Sequence, residues 1–414
     1  MIPVNEPLIA KNALKYVGDC IRSGWISSAG SYIQKFEDEF ARYLSVKHAV
    51  TTTSGTTALH LALASAGIGP GDEVIIPDLT MIAVPYAVLY TGARPAIVDV
   101  DRAMFNLDPA KVRDFIRKDC RFDKKKKALV NKRTGGRIRA VLPVHLYGHP
   151  CPMDEILAIA REFGLLVVED AAEAHGALFY PPGESRKNPS PPSSGKKGGM
   201  RKAVMAGAIG DIGCFSFYAN KIVTTGEGGM VVTNNDALAD KARRLKDLAH
   251  APGKRFLHTE LAFNYRMTNV QAAIGLAQLE EIEKYIALKQ KMAASYGKDL
   301  AGVRGLTLPE EKPWARNVYW MYAVLVEEQF GLSRDDVMAK LKEAGIDTRT
   351  FFIPVHEQPV FARAVAAEGR SFPVSEELSK RGLYLPSGLA LTQAQIKKVC
   401  GAIKKIHISS PGAK

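Results

Sequence analysis

The chain has 414 residues, 46% of them apolar, and a formal net charge of +13. That length allows a large buried core and about two domains, and the ordinary share of charged and aromatic residues fits a soluble globular protein. No apolar run of about 18 residues occurs, and Met1 to Glu6 lacks the basic-then-apolar layout of a secretory signal, so neither a membrane-spanning helix nor a leader is expected.

In chain order, Lys11 to Ile21 and Ile33 to Leu44 carry apolar residues at three- and four-residue steps and predict helices. From Thr51 onward, short apolar runs alternate with helical stretches. Glu73 to Pro77, after the Gly69-Pro70-Gly71-Asp72 turn, predicts a buried strand. Thr80 to Tyr90 predicts a helix, and Arg94 to Val100 and Ala140 to His145 predict strands. Pro152 to Phe163 predicts a helix with proline near its first turn, closed by Gly164, and Leu165 to Glu169 a further strand. Strands alternating with helices imply an α/β fold whose mostly parallel sheet is covered on both faces. Beyond about residue 250 the pattern changes. Val270 to Gln290 reads as one long helix, Trp320 to Val326 as a strand, and Ser333 to Ala344 as a helix capped by Ser333. A division is therefore expected between a large unit, 1–250, and a smaller C-terminal α/β unit, 251–414.

The positive charge is concentrated. Lys111 to Arg139 holds thirteen basic and three acidic residues, and Pro181 to Lys202 six basic and one acidic. The insertions near 121–139 and 181–202 bury little by composition and predict solvated surface excursions, with disorder or binding of an acidic partner as open readings. Lys124 to Arg137 has no aromatic residues between its charges, as a single-strand binding platform requires, so nucleic-acid binding is not expected. Cys20, Cys120, Cys151, Cys214 and Cys400 are scattered and odd in number, which fits small buried apolar residues in a reducing cytoplasm and no zinc site or disulfide framework.

Three segments carry candidate chemistry. Thr51 to Thr57 places hydroxyls and Gly55 where a helix begins. Free N–H groups and the helix dipole there suit a phosphate, although a plain capping cluster explains these residues equally. Glu169-Asp170 ends an apolar strand at the edge where open α/β sheets bind ligands. Asp170 suits a cationic ring nitrogen or, equally, the cap of a following helix. Asp211 to Lys221 runs from an apolar strand to a lysine before Gly226-Glu227-Gly228-Gly229. Taken singly, Lys221 reads as an exposed lysine; desolvated, its amine suits a Schiff base. A phosphate cradle, a carboxylate and a lysine in separate strand-end loops are what pyridoxal phosphate requires.

Ser54-Gly55-Thr56, Glu169 to Gly176 and Ser216-Phe217-Tyr218-Ala219-Asn220-Lys221, in that order, resemble the signatures of the DegT/DnrJ/EryC1/StrS sugar aminotransferases. The resemblance extends from Trp25 to about Pro386. It implies the aspartate-aminotransferase fold (fold type I), a pyridoxal 5'-phosphate cofactor, and a homodimer with shared active sites. His258 to Asn269, Gly226 to Val232 and Gly345 to Arg349 look most like the branch that aminates the 4-keto carbon of GDP-4-keto-6-deoxymannose, with glutamate as donor.

Carried over residue by residue, the resemblance makes Lys221 the cofactor-bearing proton shuttle and Asp170 the partner of the ring nitrogen. Gly55, Thr56 and Ser216 hold the phosphate, Asn264 reaches it from the other subunit, and Glu173 lies near the phenolic oxygen. Met81 stands where many relatives have an aromatic ring over the cofactor. His356, Arg266 and Arg349 are candidate substrate contacts; a metal is not expected. Three alternatives stand beside this reading. A dehydratase of the same family would carry histidine in place of Lys221. A relative using a UDP- or dTDP-sugar is poorly distinguished. A non-catalytic basic scaffold would bind through the two charged segments.

Overall fold

In a computed structural model of the chain, residues 1–125, 128–183, 202–366 and 369–410 are described. The main sheet carries, in spatial order, His48–Thr52, Gly229–Thr233, Ile212–Ser216, Leu166–Asp170, Arg137–Val141, Asp72–Pro77 and Arg94–Val98. All point the same way except Gly229–Thr233, which is antiparallel to both neighbours. Asp72–Pro77, Ile212–Ser216 and Gly229–Thr233 are buried at every position. Helices on both faces remove any solvent side, so these strands read as continuous apolar runs instead of alternating ones. The fold is the α/β, fold type I architecture of the aspartate aminotransferases, with its ligand edge at the carboxyl ends of the parallel strands.

Several element boundaries differ from the sequence expectation. The helix expected from Thr80 starts at Ala83, which leaves Thr80 and Met81 in a loop at that edge. The strand expected over Ala140 to His145 is Arg137–Val141; Pro143, without an N–H, cannot extend the ladder, and Val144 meets Asp170 only through an isolated bridge. Val270 to Gln290 is two helices, Asn269–Leu279 and Ile282–Leu300, broken where Glu281 takes φ −105° and ψ 5°.

The first basic insertion is not a loose excursion. Cys120–Asp123 and Ala128–Asn131 form an antiparallel hairpin that joins the sheet through Val130 opposite Arg137. Leu129 and Val130 are buried, and the Asn131 side-chain amide donates to the buried Glu73 carboxylate at 2.9 Å. The strand Ala128–Asn131 is buried over three consecutive residues, while Arg121 and Phe122 on the outer strand are exposed. Of the second insertion, residues 184–201 lie outside the described residues.

A second core gathers Tyr296, Tyr322, Phe330, Leu383 and Cys400, together with Ile2 from the N-terminus. It lies under a four-stranded antiparallel sheet, Leu306–Thr307, Tyr322–Val326, Gly382–Leu385 and Arg349–Thr350. Ser333 caps the helix Arg334–Glu343 with a reciprocal box to Asp336. All five cysteines are free and buried. Among the described residues no helix is long and apolar enough to cross a membrane.

Candidate active site

A cavity of about 410 Å³ opens at the carboxyl edge of the sheet, and Gly55, Thr56, Met81, Asp170, Glu173, Ser216 and Lys221 all line it. Its phosphate-like corner is built by close packing. The helix Gly55–Ser65 begins there, capped by Ser54, whose hydroxyl accepts from Thr57 N–H at 3.2 Å while Thr57 Oγ1 accepts from Ser54 N–H at 2.9 Å. The capping reading of this cluster is thus realised, and the helix start still faces the cavity. Gly55 lies against Ser216, so that an added Cβ would stand 2.7 Å from Ser216 Cβ. The absence of a side chain lets the helix N-terminus and the end of strand Ile212–Ser216 meet.

Asp170 is the last residue of its strand and is buried. One carboxylate oxygen accepts from Ala172 N–H at 3.0 Å within a turn; the element after Asp170 is the short strand Leu178–Phe179, not a helix, so the helix-cap reading is not realised. Burial pushes its carboxyl up, against the pull of the Ala172 bond and the nearby Lys221 charge. Behind it, Glu169 is sealed from solvent and accepts from Gly207, Ile209 and Gly210 N–H. His145 Nδ1 accepts from Cys151 N–H at 3.0 Å, which leaves the ring proton on Nε2, 2.9 Å from Glu169. This network anchors the strand end that carries Asp170.

The Lys221 side chain is 10% exposed, and its amine lies 3.6 Å from Glu173 and 3.7 Å from the centre of the Trp320 ring. Burial lowers its pKa, and the Glu173 and Asp170 charges oppose that shift. Glu173 is pushed up to about 7 by burial, while Lys221 and a 2.8 Å bond from Tyr147 N–H act the other way. Tyr147 presents that N–H from a left-handed backbone, φ 54°. The two groups are therefore electrostatically coupled, each charge opposing the burial shift of the other. Two polar atoms of cavity-lining residues, Thr80 Oγ1 and Asn220 Oδ1, are buried without a partner, a state that a bound polar ligand relieves.

The remaining candidates do not line this cavity. Asn264 is exposed and bridges to Asp247 through the backbone. Arg266 pairs with Asp247 at 2.5 Å, and the exposed Arg349 with Asp347 at 3.0 Å. His356 is engaged by the buried Asp78, which accepts from its backbone N–H at 3.0 Å and lies 2.7 Å from Nδ1. Its ring stacks on Phe372. Sequence reasoning missed Trp320, Tyr384, Phe352 and Glu227, all on the cavity wall. Only Glu227 had a local signal, its place in the glycine-rich turn.

The residues present fit a phosphorylated, carbonyl-bearing pyridine. A desolvated amine can take the carbonyl, Asp170 can face a ring N–H, and a helix start can take the phosphate. The profile of the DegT/DnrJ/EryC1/StrS aminotransferase family matches residues 7–404. GDP-perosamine synthase from Caulobacter vibrioides is 42% identical over 408 residues, 98% of each chain. Its namesake from Vibrio cholerae is 39% identical over 404 residues, again 98% of each. Among solved structures, S. venezuelae DesV in complex with a ketimine intermediate superposes with a TM-score of 0.80 at 34% identity, covering 95% of this chain and 94% of that one.

Proposed function

We propose that this chain, which belongs to the DegT/DnrJ/EryC1/StrS aminotransferase family, moves an amino group from glutamate to the 4-keto carbon of GDP-4-keto-6-deoxymannose, giving GDP-perosamine. The enzyme class is a pyridoxal-phosphate-dependent sugar aminotransferase. The observation that carries the residue assignment is that the Lys221 amine and the Asp170 carboxylate line one cavity, each close enough to shift the other's pKa. The choice of GDP sugar is supported by the names of the relatives that match over the whole chain.

When bound, pyridoxal phosphate supplies an electron sink for the carbon that loses its proton. In our reading Lys221 would hold the cofactor at its carbonyl carbon, and its amine would move the proton at the donor's alpha carbon. Burial lowers the pKa of that amine, which favours its neutral, nucleophilic form. Asp170 holds the ring N–H, and the buried Glu169–His145 network fixes the strand that presents it. Gly55, Thr56 and Ser216 would hold the phosphate at the helix start, Glu173 would lie near the phenolic oxygen, and Met81 would cover a ring face; all five line the cavity.

Asn264 is exposed and off this cavity in its own chain, and we assign it to the cavity of a second copy in a homodimer with shared sites. Arg266 and Arg349 remain the assigned contacts for the nucleotide diphosphate, by exchange from Asp247 and Asp347. We assign His356 to the sugar side through Nε2, by exchange from Glu376 at 3.6 Å, since Nδ1 is held by Asp78. The test is a panel of GDP-, UDP- and dTDP-keto-sugars offered with glutamate, with the product read by mass. Amination of the GDP-sugar is expected. Amination of a UDP- or dTDP-sugar alone would overturn the nucleotide assignment, and a protein that never retains the cofactor would overturn the rest.

A further inference from the structure

Lys289 belongs to the helix Ile282–Leu300 and is 2% exposed. Its amine donates to the Trp320 carbonyl at 2.9 Å and to the Ser387 carbonyl. Among the described residues no carboxylate lies within ion-pair distance of it, and burial pushes the amine down to about 7. Either protonation state keeps enough hydrogens for two carbonyls, so this knot survives titration. A buried amine is a costly way to join two carbonyls, which asks what the joint achieves.

Trp320 stands at the centre of the answer. Its ring face lies against the Lys221 amine, and its indole N–H donates to the carbonyl of Asn220, the residue just before Lys221, at 2.9 Å. The Asn5 side-chain amide donates to that same carbonyl at 3.1 Å. The backbone entering Trp320 is unusual: Tyr319 takes φ 48°, a conformation that persists only when its surroundings enforce it. One restraint is Gly148, where an added Cβ would stand 2.9 Å from Trp320 N and 3.0 Å from Tyr319 N. The other is the Lys289 amine on the Trp320 carbonyl. Ser387 ties the same knot to its surroundings, donating to Val4 through its N–H at 2.7 Å and accepting from Tyr322 N–H at 2.9 Å.

We infer that Lys289 is a positioning residue for the reactive amine: it pins the Trp320 backbone so that the indole shields Lys221 from water and anchors the carbonyl of Asn220. The inference rests on the assignment of Lys221 given above. The titratable groups facing Lys221 are Glu173 and Asp170, with His175 behind them and Tyr218, Glu227 and Tyr384 on the cavity wall. Lys289 changes none of these directly. It acts on the desolvation of Lys221, the largest cause of that residue's depressed pKa.

The test strips wild type, Lys289→Met and Trp320→Phe of cofactor and follows the rate of reloading with pyridoxal phosphate by visible absorbance across pH 6 to 10. With the indole loosened, water reaches Lys221, and the midpoint of the rate profile is expected to rise by about half a unit to one unit in both variants. The rate at neutral pH is expected to fall by about three- to tenfold. A Lys289→Met protein that melts earlier but keeps the wild-type midpoint would show a merely structural lysine and overturn the inference. Should that variant not fold, an unmoved midpoint in Trp320→Phe overturns it equally. Failure of the underlying assignment looks different: Lys221→Ala would then gain the same absorbance as wild type.

Discussion

Gly55 and Ser216 touch so closely that a methyl group on the first would lie 2.7 Å from the Cβ of the second. The contact joins the start of the helix Gly55–Ser65 to the end of the strand Ile212–Ser216, two segments about 160 residues apart in sequence. Gly55→Ala is therefore expected to push the helix start away from the strand. Overpacking of this kind costs about 1–3 kcal/mol. A lowered melting temperature together with faster cofactor loss on dialysis is the expected result; an alanine variant that retains cofactor like wild type would contradict the phosphate assignment at this corner.

Lys221→Ala is expected to remain folded, to lose the visible absorbance of bound cofactor, and to lose transamination by on the order of 10³-fold or more. Spectra and single-turnover assays on the purified variant read both effects. Residual turnover near the wild-type level would place the reactive amine elsewhere.

Glu173 carries a pH signature. Burial raises its carboxyl from 4.5 to about 7, so the folded protein holds a proton that the unfolded chain releases. Stability contributed by this group is complete below about 4.5 and is lost as pH rises toward about 7, at up to about 1.4 kcal/mol per pH unit. Asp170, also raised by burial, slopes in the same sense. Urea unfolding of Glu173→Gln at pH 5, 6 and 7 is expected to show a flatter profile than wild type. An unchanged slope would assign the proton to another group.

Glu169 accepts three backbone N–H groups and faces His145, with no solvent contact. In Glu169→Gln an amide NH₂ replaces one acceptor oxygen and points donors at donors. A loss of about 3–5 kcal/mol in chemical denaturation is expected. Cofactor retention should weaken as well, because the strand end bearing Asp170 loses its anchor. A stability change under about 1 kcal/mol would mean that the loop Gly207–Gly210 is held by other contacts.

Much of the frame was legible before folding. Apolar runs such as Val74-Ile75-Ile76 announced buried strands because both faces of the sheet are covered, and Ser333 announced a helix start because its hydroxyl can accept from Asp336 N–H in the first turn. Boundaries drifted where one residue's chemistry overruled the pattern. Pro143 stops a ladder that its neighbours would continue, and the break at Glu281 is invisible to a periodicity that resumes almost in phase.

By itself the sequence determined which short segments end at the ligand edge: Ser54 to Thr57, Glu169 to Glu173, and Ser216 to Lys221. Each is a local statement, set by backbone hydrogen bonding and side-chain alternation within a few residues. Only the tertiary structure decided that Trp320 faces the Lys221 amine, that Glu173 lies 3.6 Å from it, and that Asp78 already holds the imidazole of His356. Those juxtapositions come from strands and helices packing across a hundred or more residues, and no periodicity along the chain encodes the distance between two side chains that meet only when the sheet closes over them.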